Sequence, residues 1–183
     1  MSDDTRPPGW SHNPSQPSRR SVLVFFALLG FAISIYLSLY QLGVVANIWD
    51  PFFGDESSNV LHSELSRMLP VPDAALGAAA YLIEAILGAV GNRQRWRTQP
   101  WIVILYGLTV VGLGIVSIFL VIYQSAFLHA WCTLCLASAA ISIGLVAPVT
   151  TEMRATIQHL KRESSRNDSV WRTFWGLQHR NQS

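Results

Sequence analysis

Four apolar stretches divide this 183-residue chain and leave it few ways to fold: Ser21 to Ala46, Ala74 to Val90, Trp101 to Tyr123, and Trp131 to Val149. A helix that crosses a bilayer needs about 20 mostly apolar residues. By that measure the first and third stretches qualify outright, the fourth by a small margin, and the second is short and contains Glu84. Gly77, Gly88 and the run Ala78-Ala79-Ala80 give the second stretch the small faces on which membrane helices approach closely. Charged residues make up 13% of the chain, against about 25% in an ordinary soluble domain. The expected architecture is all-α: a polytopic membrane protein built as a four-transmembrane-helix bundle.

The first stretch is longer than the roughly 7 to 15 residues of a signal-peptide core, and no small-residue cleavage site follows it. It is expected to remain as an anchor. Residues 1–20, rich in Pro and Ser, bury too little apolar area to offset ordering and are expected to form a disordered cytoplasmic tail. Residues 21–150 form the membrane domain. Residues 151–183 form a basic cytoplasmic tail that begins as a helix with Met153, Ile157 and Leu160 on one face. Its stretch Val170 to Leu177 mixes aromatic and basic residues, which suits either a membrane interface or a loose tail.

Charge sets the orientation. Arg19 and Arg20 precede the first span, Arg93, Arg95 and Arg97 separate the second from the third, and Arg154, Lys161, Arg162, Arg166 and Arg172 follow the fourth. With four crossings all of these fall on one side, which the preference for basic loops in the cytoplasm assigns to the inside. The opposite side holds the loop from Asn47 to Pro72, with Asp50, Asp55, Glu56 and Glu64 against a lone Arg67. The net charge of +2 arises mainly from the inside-facing basic residues, so it does not imply nucleic acid.

The chain has two cysteines, Cys132 and Cys135, in Trp131-Cys-Thr-Leu-Cys-Leu136, at the outer mouth of the fourth span. With a helix starting near Trp131, Cys132 falls in the first turn, where unpaired amides and the positive end of the dipole favour a thiolate. Cβ atoms at i and i+3 of a regular helix stand about 5 to 6 Å apart, beyond the roughly 3.5 to 4.5 Å of a disulfide. Closing the pair therefore requires a tightened turn, and such disulfides are the reducible kind. An outward-facing dithiol at this spacing reads as a redox device, with apolar packing as the bland alternative. Covalent haem attachment needs His after the second cysteine, where Leu136 stands. His129 with the two cysteines makes three ligands, one short of a structural zinc site, so no metal is expected. His129 reads as an interfacial loop residue or a proton shuttle beside the pair.

From about Val22 to Val149 the chain resembles the vitamin K epoxide reductase family, including its bacterial disulfide-forming members. The likeness rests on four spans with Cys-x-x-Cys opening the fourth, on Val60-Leu-His-Ser63, and on Val71-Pro-Asp-Ala-Ala-Leu-Gly77 followed by Tyr81. It implies a bundle that holds a quinone, ubiquinone or menaquinone, near the outer helix ends and passes two electrons between it and a dithiol. Cys135 takes the position that faces the quinone and Cys132 the position attacked during exchange. Asp73 stands where the family has an Asn that hydrogen-bonds a quinone oxygen, and Ser63 matches a loop serine that orders a half-helix over the site. The resemblance also implies a thioredoxin-like extracytoplasmic thiol protein as partner.

The loop departs from the family pattern. Alignment on Val60 puts Ser57 where the second loop cysteine belongs and the first near Asp50 or Pro51, so no relay disulfide forms there. Three readings follow. The membrane pair exchanges directly with an external thiol, or the chain is an inert binding or assembly subunit. In the third, Glu84, about 16 Å beyond Asp73 along a helix, serves proton movement, although the expected state is an acid paired inside the bundle.

Overall fold

The structure is a computed structural model that describes residue 13, residues 15–53, 56–62, 71–92 and 94–165, and residue 174. The described residues form helices α1 (Pro17–Gln41), α2 (Glu56–Leu61), α3 (Asp73–Ala89), α4 (Arg95–Thr98), α5 (Pro100–Tyr123) and α6 (Thr133–Ser165). A π-helical turn, Gln124–Leu128, extends α5. Three helical segments are long and apolar enough to cross a membrane: Pro17–Gln41, Pro100–Leu128 and Thr133–Arg162. The fourth expected span, α3, has 17 residues, or about 25 Å of helix against a hydrocarbon core of about 30 Å.

The four long helices pack in a ring, α1 against α3, α3 against α5, α5 against α6, and α6 back against α1. Ala27, Ala85, Tyr106, Val110, Leu145 and Val149 form the core between them. Phe25, Leu108, Ile115 and Phe119 point outward and are more than half exposed, an apolar belt that a bilayer would cover. Close approach of α1 and α3 depends on Gly30, because a Cβ there would lie 2.5 Å from the Tyr81 ring.

Helix boundaries differ from the sequence reading in instructive ways. Residues 17–20, assigned above to the disordered tail, are the first turn of α1. Pro17 supplies the preset φ of an N-terminal position, and Arg20 is buried against the end of α3. The first span stops at Gln41 rather than Ala46, because the chain turns through Gly43 at φ 75°. No break falls at residue 150: α6 runs through Pro148 to Ser165, carrying the expected amphipathic segment as a continuation of the span. Of the aromatic stretch Val170 to Leu177, only Phe174 lies among the described residues.

Two arginines close the end of α3. Arg20 donates to the carbonyls of Gly88, Ala89, Val90 and Gly91 at 2.7 to 3.0 Å, placing a cation on the negative end of the helix dipole. Arg95, 0% exposed, donates to Leu87 and Val90 and makes a bidentate pair with Glu152, with both N–O distances 2.6 Å. Ser15 donates to the same carboxylate at 2.5 Å. This cluster ties the start of α1, the end of α3 and the far half of α6 into one buried network. Glu84 is 1% exposed, and neither of its carboxyl oxygens has a partner among the described residues, so the expected pairing inside the bundle is absent there.

Removing one member of a buried ion pair strands the other, which costs about 3 to 5 kcal/mol, whereas replacing both with apolar residues is far milder. Arg95→Met should therefore lower stability by about that amount. Adding Glu152→Met should recover most of it, as measured by unfolding in detergent.

Candidate functional site

The cysteine pair sits where α6 begins. Helix α6 starts at Thr133, so Cys132 is its N-cap and not a first-turn residue: its carbonyl accepts the Leu136 amide at 3.0 Å. Its sulfur accepts the Cys135 amide at 3.2 Å. An N-cap residue lies outside helical dihedrals, and the i to i+3 spacing of a regular helix no longer applies. Cys132 and Cys135 are joined as a disulfide with Cα atoms 5.2 Å apart. The two sulfurs face different surroundings: Cys132 is completely buried, packed with Leu37 and Leu61, while Cys135 is partly exposed.

Cys135 opens onto a cavity of about 520 Å³ bounded by α1, α2, α3, α5 and α6, a size that suits a small organic ligand. Its walls are mostly apolar, with Leu37, Leu113, Val116 and Leu120 among them. Asp73, in the first turn of α3, lines the same cavity. The Gln41 amide donates to Asp73 Oδ1 at 2.5 Å and to the Leu61 carbonyl at 3.1 Å, which clamps the end of α1 to both α3 and α2. On the α5 side, Gln124 is 3% exposed, and its Oε1 has no hydrogen-bond partner among the described residues. A buried amide oxygen left unpaired at a cavity wall is costly unless a ligand or water meets it.

Tyr81 sets the rotation of α6. Its hydroxyl donates to the Ser138 carbonyl at 2.6 Å and meets Ser142 Oγ at 2.6 Å, one and two turns beyond Cys135. That cross-link, braced from behind by Gly30, turns the Cys135 face of α6 toward Asp73 on α3.

The loop closes over Cys132 through Asp50. Its carboxylate accepts the Thr133 backbone amide at 2.8 Å, the Thr133 hydroxyl, the Ser57 hydroxyl, and the Phe52 and Phe53 amides at 3.0 Å each. Burial opposes its charge, but the hydrogen bonds from Ser57, Thr133, Phe52 and Phe53 prevail and hold the carboxyl well below the usual carboxylate range. Phe53 stacks on Trp131, with ring centroids 6.4 Å apart. Ser57, at the second loop position that the resemblance assigns to a cysteine, is thus in direct contact with Asp50, one of the two residues near the first. His129 is exposed and adopts a left-handed conformation at φ 48° between the π-turn and Cys132.

Of the four residues singled out from sequence, Cys132, Cys135 and Asp73 gather at this end of the bundle; Ser63 lies outside the described residues. Gln41, Gln124 and the capping role of Asp50 were not anticipated. An acidic residue in a loop carries no mark of which distant helix it caps. A glutamine at the end of an apolar run was the one available signal for Gln124.

The fold and site define a multi-pass membrane protein with a redox-capable cysteine pair beside an apolar cavity. A family model for the vitamin K epoxide reductase family matches residues 21–150, and the chain belongs to that family. At family level this places it among membrane oxidoreductases. No curated protein matches the sequence.

A methyl group at position 30 would strike the Tyr81 ring, whose hydroxyl is held on α6. Gly30→Ala should cost about 1 to 3 kcal/mol as an overpacked core does. Thermal unfolding of the purified protein checks this; an unchanged midpoint would mean that the ring is not braced.

Proposed function

We propose that the protein passes two electrons between an external thiol couple and a membrane quinone/quinol couple, with Cys132 and Cys135 as the redox pair. The observation that carries this reading is Cys135 in the wall of an apolar cavity with Cys132 sealed behind it. All four long helices cross the bilayer in this reading. The arginine-rich end that joins Arg20, Arg95 and Glu152 is cytoplasmic, with both termini, and the cysteine end is extracytoplasmic.

The residues present fit a quinone ring. The cavity volume is adequate, the walls are mostly apolar, and the polar side chains among them include Asp73 from α3 and Gln124 from the turn after α5. Asp73 already accepts a hydrogen bond from Gln41, and as an acceptor a carboxylate suits the hydroxyl of a quinol. The Gln124 amide has both donor and acceptor atoms and can serve either a carbonyl or a hydroxyl. When bound, the quinone supplies a two-electron acceptor. Oxidation of the dithiol forms the sulfur–sulfur bond and releases two electrons and two protons, which reduce quinone to quinol. Cys135, adjacent to the ring, is the sulfur that hands over the electrons. Cys132 exchanges with a thioredoxin-like thiol protein, and because it is buried, the loop over it must open first.

That same burial favours a second reading, a binding or assembly subunit whose pair stays closed. The two separate spectroscopically. In Cys132→Ala the remaining Cys135 thiolate should give a long-wavelength charge-transfer band with added ubiquinone or menaquinone, and the band should be absent in Cys135→Ala. A subunit with an inert site would show no band in either variant.

Gln124→Leu should weaken quinone binding about threefold to tenfold, the value of one neutral hydrogen bond. The titration of that band with quinone measures it, and unchanged affinity would remove Gln124 from the site.

A further inference from the structure

Two different groups cap the start of α6. Cys132 Sγ takes the Cys135 amide, and Asp50, from a loop more than eighty residues earlier, takes the Thr133 amide and hydroxyl. Sulfur and carboxylate therefore share one helix end, whose unpaired amides amount to roughly half a positive charge. A helix end of that kind ordinarily stabilises a cysteine thiolate. Here a full negative charge already occupies it.

We propose that Asp50 is a positioning residue that sets the redox balance of the pair: its carboxylate opposes the Cys132 thiolate and so biases the couple toward the disulfide. The inference rests on the pair being redox-active, as proposed above. Five donors converge on Asp50, from Ser57, Phe52, Phe53 and twice from Thr133. The group therefore stays ionised throughout the range in which thiols titrate. Other titratable side chains near the pair are Tyr40, which packs in the Cys132 cluster, Asp73, Tyr81 and Tyr123, which line the cavity of Cys135, and His129 in the turn before Cys132. Asp50 holds the first turn of α6 directly, through the Thr133 amide and hydroxyl.

The same contacts replace a covalent link. Near where the resemblance puts two loop cysteines, at Ser57 and at Asp50 or Pro51, Asp50 is hydrogen-bonded to Ser57 and, through Thr133, to α6. The loop is then held by a charge that also acts on the reacting sulfur, something a disulfide would not supply.

Asp50→Asn keeps the size and an acceptor oxygen for Thr133 and removes the charge. The test equilibrates the purified full chain with reduced and oxidised glutathione across pH. The sign follows from the thiolate: with the anion gone, the Cys132 thiolate is favoured, so the dithiol gains relative to the disulfide, but only where thiolate is populated. Variant and native should nearly coincide at about pH 6 and diverge to about tenfold at about pH 9, or about 30 mV for a two-electron couple. Asp50→Glu should restore the native profile, and Ser57→Ala, which keeps the carboxylate, should stay close to it. An equal shift at every pH would assign Asp50 a packing role only and overturn the proposal, as would no shift at all. If Asp50→Asn does not fold, the Asp73→Asn chain labelled with isotopic aspartate gives the answer by infrared difference on reduction. A displaced carboxylate band is expected, and a silent one overturns the proposal. Glutathione is the sole redox partner in these measurements, so failure here leaves the charge-transfer test of quinone binding standing, and the reverse also holds.

Discussion

Helix ends with unpaired peptide groups are the constraint around which this bundle is organised. Inside lipid, backbone N–H and C=O groups must find partners within the protein, and this chain meets the demand with side chains borrowed from elsewhere. At one end Arg20 and Arg95 cover the last carbonyls of α3. At the other, Asp50 and the Cys132 sulfur cover the first amides of α6. Neither helix is complete until a segment distant in sequence has docked on it, so the loop, the short helix α2 and the cysteine pair form one connected unit.

That arrangement gives the two sulfurs different neighbours. Cys132 lies at the N-cap under the loop, against Leu37 and Leu61. Cys135 lies one turn into α6, on the face that Tyr81 turns toward the cavity. The disulfide between N-cap and third helical position thus joins a sulfur buried under the loop to one that lines a mostly apolar cavity. In the proposed function, that placement is what lets the dithiol pass electrons between a water-soluble and a lipid-soluble couple.

Much of this architecture was readable from residue pattern. Apolar run lengths located α1, α5 and α6, and the small residues of the second stretch anticipated the close contact of α3 with α1, where Gly77 lies against Ser34 and Gly88 against Val24. The cysteine spacing pointed to redox chemistry. What pattern could not supply was anything decided by tertiary contact. Arg20 reads as a flanking charge until the end of α3 is beside it, and Arg95 reads as a loop arginine until Glu152 meets it. Helix α1 stops at Gln41 because of Gly43, although the apolar character continues to Ala46. The start of α6 was placed two residues early, since Trp131 and Cys132 look helical by hydropathy while Cys132 is held as a cap by its own sulfur.

The most direct measure of the central claim, that the Cys135 side of the pair empties its electrons into a ring in the cavity, is an anaerobic single turnover. Fully reduced protein is mixed with a short-chain quinone, and the quinol formed is compared with the Cys132–Cys135 disulfide formed. The account predicts one quinol for each disulfide, appearing together. Disulfide formation by soluble oxidants alone, with the quinone left unconsumed, would contradict it.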